Sequence, residues 1–181
     1  MERYESWAAS LEPRAAGVSQ LEIQKLAYLL QLLGVRLGLT FTRAHYGPYA
    51  HALSAVLSAM EGHQTTGFGD GTVPVLDFAS IELLPGAIDE AHAVLTDTPP
   101  AIPDDELWRL VEGFESPYGM ELLATAHWAA AHTDPVTSDP AVVSDRVAGW
   151  NLRKARLFTP HHVTVAMARL DRSGLLAGTL T

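Results

Sequence analysis

The chain has 181 residues, with 12 Lys plus Arg against 21 Asp plus Glu and a formal net charge of −9. At 48% hydrophobic and 18% charged residues it can bury a real core, which excludes a wholly disordered chain, and without cysteine it has no disulfides or thiolate metal sites. No apolar run approaches the ~20 residues of a membrane span, and the start Met1-Glu2-Arg3-Tyr4-Glu5 lacks a signal-peptide layout. The expectation is a cytoplasmic protein with a lead-in over residues 1–18 and one domain over 19–181.

Helical periodicity dominates the chain. Ser19-Gln20-Leu21-Glu22 reads as a capping box, followed by a helix over roughly 20–33 that is apolar almost all round and hence central to the fold. Leu39-Thr40-Phe41-Thr42 is a short extended piece. In Tyr46-Gly47-Pro48-Tyr49, Pro48 fits the first position of a helix whose inner face carries Leu53, Val56, Leu57 and Met60. Residues 62–71 are glycine-rich and predict a loop, and weak alternation over 73–84 predicts a small hairpin. A short helix follows to about Leu95, then a proline-rich connection. Asp104-Asp105-Glu106 and Ser116-Pro117 mark two further helix starts. Helices near 141–150 and from Thr159-Pro160 to Gly174 complete the pattern. The expected class is mainly α with a minor β element (α+β).

Charge is unevenly placed. Residues 61–121 hold thirteen acids against the single base Arg109, a net of −12, whereas 1–60 come to +1 and 122–181 to +2. Such a field repels nucleic acid and steers basic partners. Chemistry finds less support. Among the eight histidines, His127 and His132 are five apart and are expected on different helix faces, and His161 and His162 diverge, so no metal site is expected. No nucleophile elbow, P-loop or dinucleotide turn is present. Glu115 and Glu121 span a helix cap without fixed geometry, so they are read as solvated carboxylates rather than an acid/base pair. No catalytic residue, metal or cofactor is expected.

Several strings are more specific than periodicity requires. They are L-E-I-Q-K-L-A-Y-L-L-Q from Leu21, H-Y-G-P-Y-A from His45, M-E-G-H from Met60, G-D-G from Gly69, G-F-E-S-P-Y-G-M-E-L-L-A-T from Gly113 and W-N-L-R-K-A-R-L-F from Trp150. In this order, over roughly residues 19–176, they resemble the C-terminal domain of the DarG antitoxin. The first two also resemble the broader SocA-like (Panacea) domain, with its Q-K-L-x-Y helix and Y-G-P turn. The resemblance implies a non-enzymatic antitoxin domain that binds a DarT-type DNA ADP-ribosyltransferase toxin as a monomer or one-to-one complex. It implies no macrodomain, no membrane and no direct contact with nucleic acid.

Joined to the charge pattern, the resemblance predicts that the acidic third mimics DNA in the toxin's basic single-strand groove, with Phe68, Phe114 or Tyr118 standing in for bases. The expected toxin-binding residues are Tyr49, His51, His63, Phe68, Asp70, Asp89, Glu90, Glu115 and Tyr118. Gln24 and Lys25 are expected to buttress the Tyr46-Gly47-Pro48 turn, and Tyr28 and Trp128 to pack in the core. The alternatives are a SocA-like proteolytic adaptor and a transcriptional regulator that binds DNA through Arg146, Arg153, Lys154 and Arg156.

Overall fold

In the computed structural model, residues 18–69, 80–97 and 104–176 are described. Ser19 opens the first helix, α1 (Gln20–Leu32), as the expected capping box: its hydroxyl accepts from the Glu22 amide, and the Glu22 carboxylate accepts from the Ser19 N–H at 2.9 Å. Strands β1 (Thr42–Ala44) and β2 (Gly47–Tyr49) pair as an antiparallel hairpin around His45-Tyr46. Pro48 therefore lies in a strand, and helix α2 (His51–Met60) begins only at His51. The reason is that α1 holds this segment extended. Lys25 donates to the Pro48 carbonyl at 2.6 Å, and the Gln24 carboxamide both accepts from the Ala50 N–H and donates to the Ala50 carbonyl.

Strands β3 (Thr65–Thr66) and β4 (Glu82–Leu83) make a second antiparallel pair, beside a bridge from Val18 to Ile81. A strand thus sits inside the glycine-rich stretch expected to be loop. Most of the hairpin expected over 73–84 lies outside the described residues, and β4 takes β3 as its partner. Helices α3 (Ala87–Asp97), α4 (Asp104–Val111), α5 (Pro117–Ala131), α6 (Pro140–Ala148), α7 (Leu152–Leu157) and α8 (Pro160–Arg172) follow. The protein is mainly helical, and its described residues form one domain with two small antiparallel sheets.

Helix α5 is the axis of the fold. Ser116 caps it by accepting from the Gly119 amide at 3.1 Å, with Pro117 in the first turn. A Cβ at Gly119 would lie 2.7 Å from the Phe114 backbone, so only glycine fits. Ala124, Ala126, Ala129 and Ala130 are buried and small, which lets α1, α6 and α8 approach closely. Leu29, Leu110, Val147, Val163 and Leu170 fill the surrounding core, each side chain worth roughly 1.5–3 kcal/mol of burial. Tyr28 is buried and Trp128 packs against the same core, as expected. A second, smaller cluster joins Leu57, Phe68 and Ile81, with Ile23 beside it.

Candidate functional site

Four segments distant in sequence meet at one end of α5. Glu121 and Thr125 are one turn apart and share a helix face. Asn151 caps α7 by accepting from the Lys154 amide at 2.8 Å, and its side chain also donates to the His45 carbonyl at 3.0 Å. That cap aims Lys154 inward, where its ammonium donates to Glu121 Oε1 at 2.5 Å and to the Thr125 hydroxyl at 3.2 Å. Arg153 reaches the same Glu121 oxygen at 2.6 Å. The Lys154 and Glu121 side chains are 0% and 1% exposed. The expectation that Glu121 is solvated therefore fails: the α7 cations neutralise it in the core, while Glu115, before the helix cap, is exposed.

Lys25 approaches from α1, and Gly47 separates it from Thr125. A Cβ at Gly47 would stand 2.8 Å from the Thr125 hydroxyl and 3.6 Å from the Lys25 ammonium, and its φ of +98° is one that other residues rarely adopt. Burial pushes the Lys25 amine down to about 7; the nearby Lys154 charge adds to this and Glu121 opposes it. Burial likewise lowers Lys154 to about 8 against the attraction of Glu121. Gln24 and Lys25 brace the Gly47–Ala50 segment, as the sequence predicts.

Above this cluster lies a groove of about 320 Å³ between α1 and the β1–β2 hairpin, whose lining includes Gln20, Lys25, His45, Tyr46, Tyr49 and His51. Its rim is aromatic: His45 meets Tyr46 edge-to-face at 4.7 Å, and Tyr49 meets His51 at 5.0 Å. Gln20 donates to Ser54 at 3.1 Å, and the Ser54 and Tyr49 hydroxyls are 2.5 Å apart. The Arg153 guanidinium lies 4.9 Å over the Tyr46 ring, and that of Arg43 lies 4.4 Å over Trp150. Trp150 in turn donates its indole N–H to Ala44 at 2.9 Å. The groove therefore presents rings and hydroxyls, while the guanidinium groups of Arg43 and Arg153 are engaged beside it, on Trp150 and on Glu121.

One turn further along α1, His127 and the Tyr28 hydroxyl are 2.7 Å apart in the core. Burial pushes His127 down to about 4, aided by His132, and pushes the Tyr28 phenol above its ordinary value. His132 does not diverge as expected. It is the C-cap of α5, where the chain leaves the helix, and its ring stacks on Trp128 at 4.2 Å and lies 6.1 Å from His127. Among the described residues, no group of three His, Asp or Glu could hold a metal ion.

Of the nine residues expected to bind a toxin, only Tyr49 and His51 line the groove. His63 is exposed in the turn after α2, and Asp89 and Glu90 are exposed in the first turn of α3. Phe68 is buried in the small cluster, where the Glu61 carboxylate holds its amide at 3.0 Å, so it presents no ring to a partner. Phe114 is likewise buried. Tyr118 is half-buried and turns its hydroxyl to the Leu157 carbonyl at 2.9 Å and to His162 at 2.6 Å. Asp70 lies outside the described residues. Thr125 was missed from sequence, and Glu121, Arg153 and Lys154 were read as separate solvated or DNA-facing charges rather than as one buried cluster. Their signal was present, because the strings beginning at Leu21, His45, Gly113 and Trp150 are the four segments that meet here.

The fold and site define a helical domain with a ring-lined groove over a buried charge cluster. No family model matches the chain. It is 44% identical over 162 residues to the DNA ADP-ribosyl glycohydrolase of Thermus aquaticus, covering 88% of this chain and 42% of that protein. It is 38% identical over 176 residues to the DNA ADP-ribosyl glycohydrolase of Mycobacterium tuberculosis, covering 94% of this chain and 49% of that protein. The chain thus spans less than half the length of these curated relatives.

These names overturn the antitoxin reading and the expectation of a non-enzyme: proteins that share most of this chain are named for a hydrolase that acts on DNA. The adaptor and regulator readings fit them no better. The regulator also loses three of its four cations to the fold, since Lys154 and Arg153 are held by Glu121 and Arg146 donates to the Ala129, Thr133 and Pro135 carbonyls. No described helix is long and apolar enough to cross a membrane.

Proposed function

We propose that this chain is part of a DNA ADP-ribosyl glycohydrolase and serves the removal of ADP-ribose from DNA, in the bacterial cytoplasm where the genome lies. The observation that carries the reading is the 44% identity to the Thermus aquaticus enzyme over 88% of the chain. The groove agrees with this role in its chemistry, because a DNA adduct offers planar bases to the Tyr46 and Tyr49 rings. In this reading the chain's own residues bind and orient: Arg153 stays poised over Tyr46 because Glu121 fixes it.

The test is release of ADP-ribose from an ADP-ribosylated oligonucleotide. It compares the intact Thermus aquaticus relative with the same enzyme lacking the portion aligned to this chain, and then adds the chain back. Slower or weaker-binding turnover after deletion, restored by the chain, is expected. Unchanged kcat/KM in the truncated enzyme overturns the proposal.

A further inference from the structure

Helix α3 is amphipathic in sequence and uncovered in the fold. Leu84, Ile88, Ala91 and Leu95 recur at steps of three and four, with Val94 beside them, while Asp89 and Thr96 lie on the opposite face. Among the described residues nothing shields that apolar face: Ile88, Val94 and Leu95 are 54%, 67% and 47% exposed. Contiguous apolar surface of this kind marks a docking face. The strand leading into α3 has a matching open edge. Leu84 donates its N–H to the Gln64 carbonyl at 2.9 Å, on the β3 side, whereas Ile81 exchanges both backbone hydrogen bonds with Val18 at 3.0 Å, on the other side. Alternation along the strand turns the N–H and C=O of Leu83 to the Val18 side as well.

We propose that residues 1–17 of this chain are the cover: 15–17 continue the Val18 bridge along Leu83 as a third strand, and Trp7 and Leu11 lie on Ile88, Val94 and Leu95. The antiparallel bridge sets the direction, because a strand running backward from Val18 passes Glu82 and Leu83 and heads for the start of α3. The lengths agree. Seven residues separate Leu11 from Val18 and reach about 23 Å when extended, while α3, with 11 residues, is roughly 16 Å long. Tyr4, Trp7 and Leu11 also stand at steps of three and four, a single apolar face ahead of Pro13. Charge disfavours the rival occupant, a second copy, which would set Asp89 and Glu90 against their own equivalents. Residues 1–17 instead carry Arg3 and Arg14 beside Glu2, Glu5 and Glu12. A tethered segment, moreover, competes at a millimolar effective concentration. The folded unit then begins well before the Ser19 cap, and α3 is an internal joint rather than a free surface.

The chain has no cysteine, so an introduced pair of thiols is read without background. In the extended register Ala16 stands opposite Leu83, at a spacing that a disulfide accepts. Oxidation of the full chain carrying Ala16→Cys with Leu83→Cys is expected to give a crosslinked monomer. Ala15→Cys with Leu83→Cys, one position out of register and on the other face, is expected to stay reduced. Crosslinked dimers, equal crosslinking of both pairs, or no crosslink overturns the strand. The apolar contact is tested without thiols, by thermal denaturation. Leu95 is already half exposed, so Leu95→Ala keeps the fold. Trp7→Ala and Leu95→Ala are each expected to lower the midpoint by about 3 °C. Leu95→Ala should add almost nothing in the Trp7→Ala background, because the two remove one shared contact. Strictly additive shifts, or no shift for Trp7→Ala, put the segment elsewhere and overturn the proposal.

Discussion

Around α5 and α7 a single carboxylate, Glu121, is buried against Lys154 and Arg153, whereas the stretch from β4 to α4 carries Glu82, Asp89, Glu90, Asp105, Glu106 and Glu112, all exposed. The first region has little net charge in its sequence and much electrostatic consequence; the second dominates the charge arithmetic and touches little. Exposed charges are screened by water and salt, so even the Arg109–Asp105 pair, with 71% and 55% of its side chains exposed, adds little stability. A buried charge is held by its partner, and removing that partner leaves an uncompensated ion. Counting acids along a chain therefore identifies a solubilising surface and overlooks an acid that works inside the core.

The largest effect should come from breaking the buried cluster. Glu121→Gln leaves Lys154 unpaired and is expected to cost about 3–5 kcal/mol in urea denaturation. Adding Lys154→Met should recover much of that loss, since no buried ion remains. In the smaller cluster, Phe68→Ala is expected to cost about 3 kcal/mol by opening a cavity beside Leu57 and Ile81. Gly47→Ala comes next, at about 2 kcal/mol, from its left-handed backbone and its contact with Thr125.

The pH dependence of stability sharpens the contrast. Lys25 and Lys154 are lowered from 10.5 to about 7 and about 8, so between those values and 10.5 the unfolded chain binds more protons and stability should climb as pH rises. His127, lowered from 6.5 to about 4, should make stability fall as pH drops through that interval. Thermal midpoints from pH 5 to 10 measure both, and a flat profile above pH 7 would contradict the buried-lysine geometry. Smallest of all, Asp89→Lys and Glu90→Lys should each move stability by less than about 0.5 kcal/mol. A larger loss would mean that α3 is coupled to the core.

Helix existence and order were written locally. Ser19 with Glu22, Ser116 with Pro117 and Thr159 with Pro160 satisfy exposed amides from neighbouring residues, so a capping pattern is complete within a few positions. The bracing role of Gln24 and Lys25 was legible too, because the Y-G-P turn needs side-chain partners. Other features depended on groups far away in the chain. Whether Pro48 starts a helix was decided by Lys25 and Gln24 holding its carbonyl and the following amide in extended form. Whether β4 found a partner was decided by Thr65–Thr66, which local glycine content assigned to a loop. Glu121 and Glu115 are the same residue type six positions apart, and composition cannot tell them apart. Only the arrival of α7, 32 residues along, makes one of them an internal counter-ion, because burial and Coulomb energy are properties of three-dimensional neighbours and not of adjacent letters.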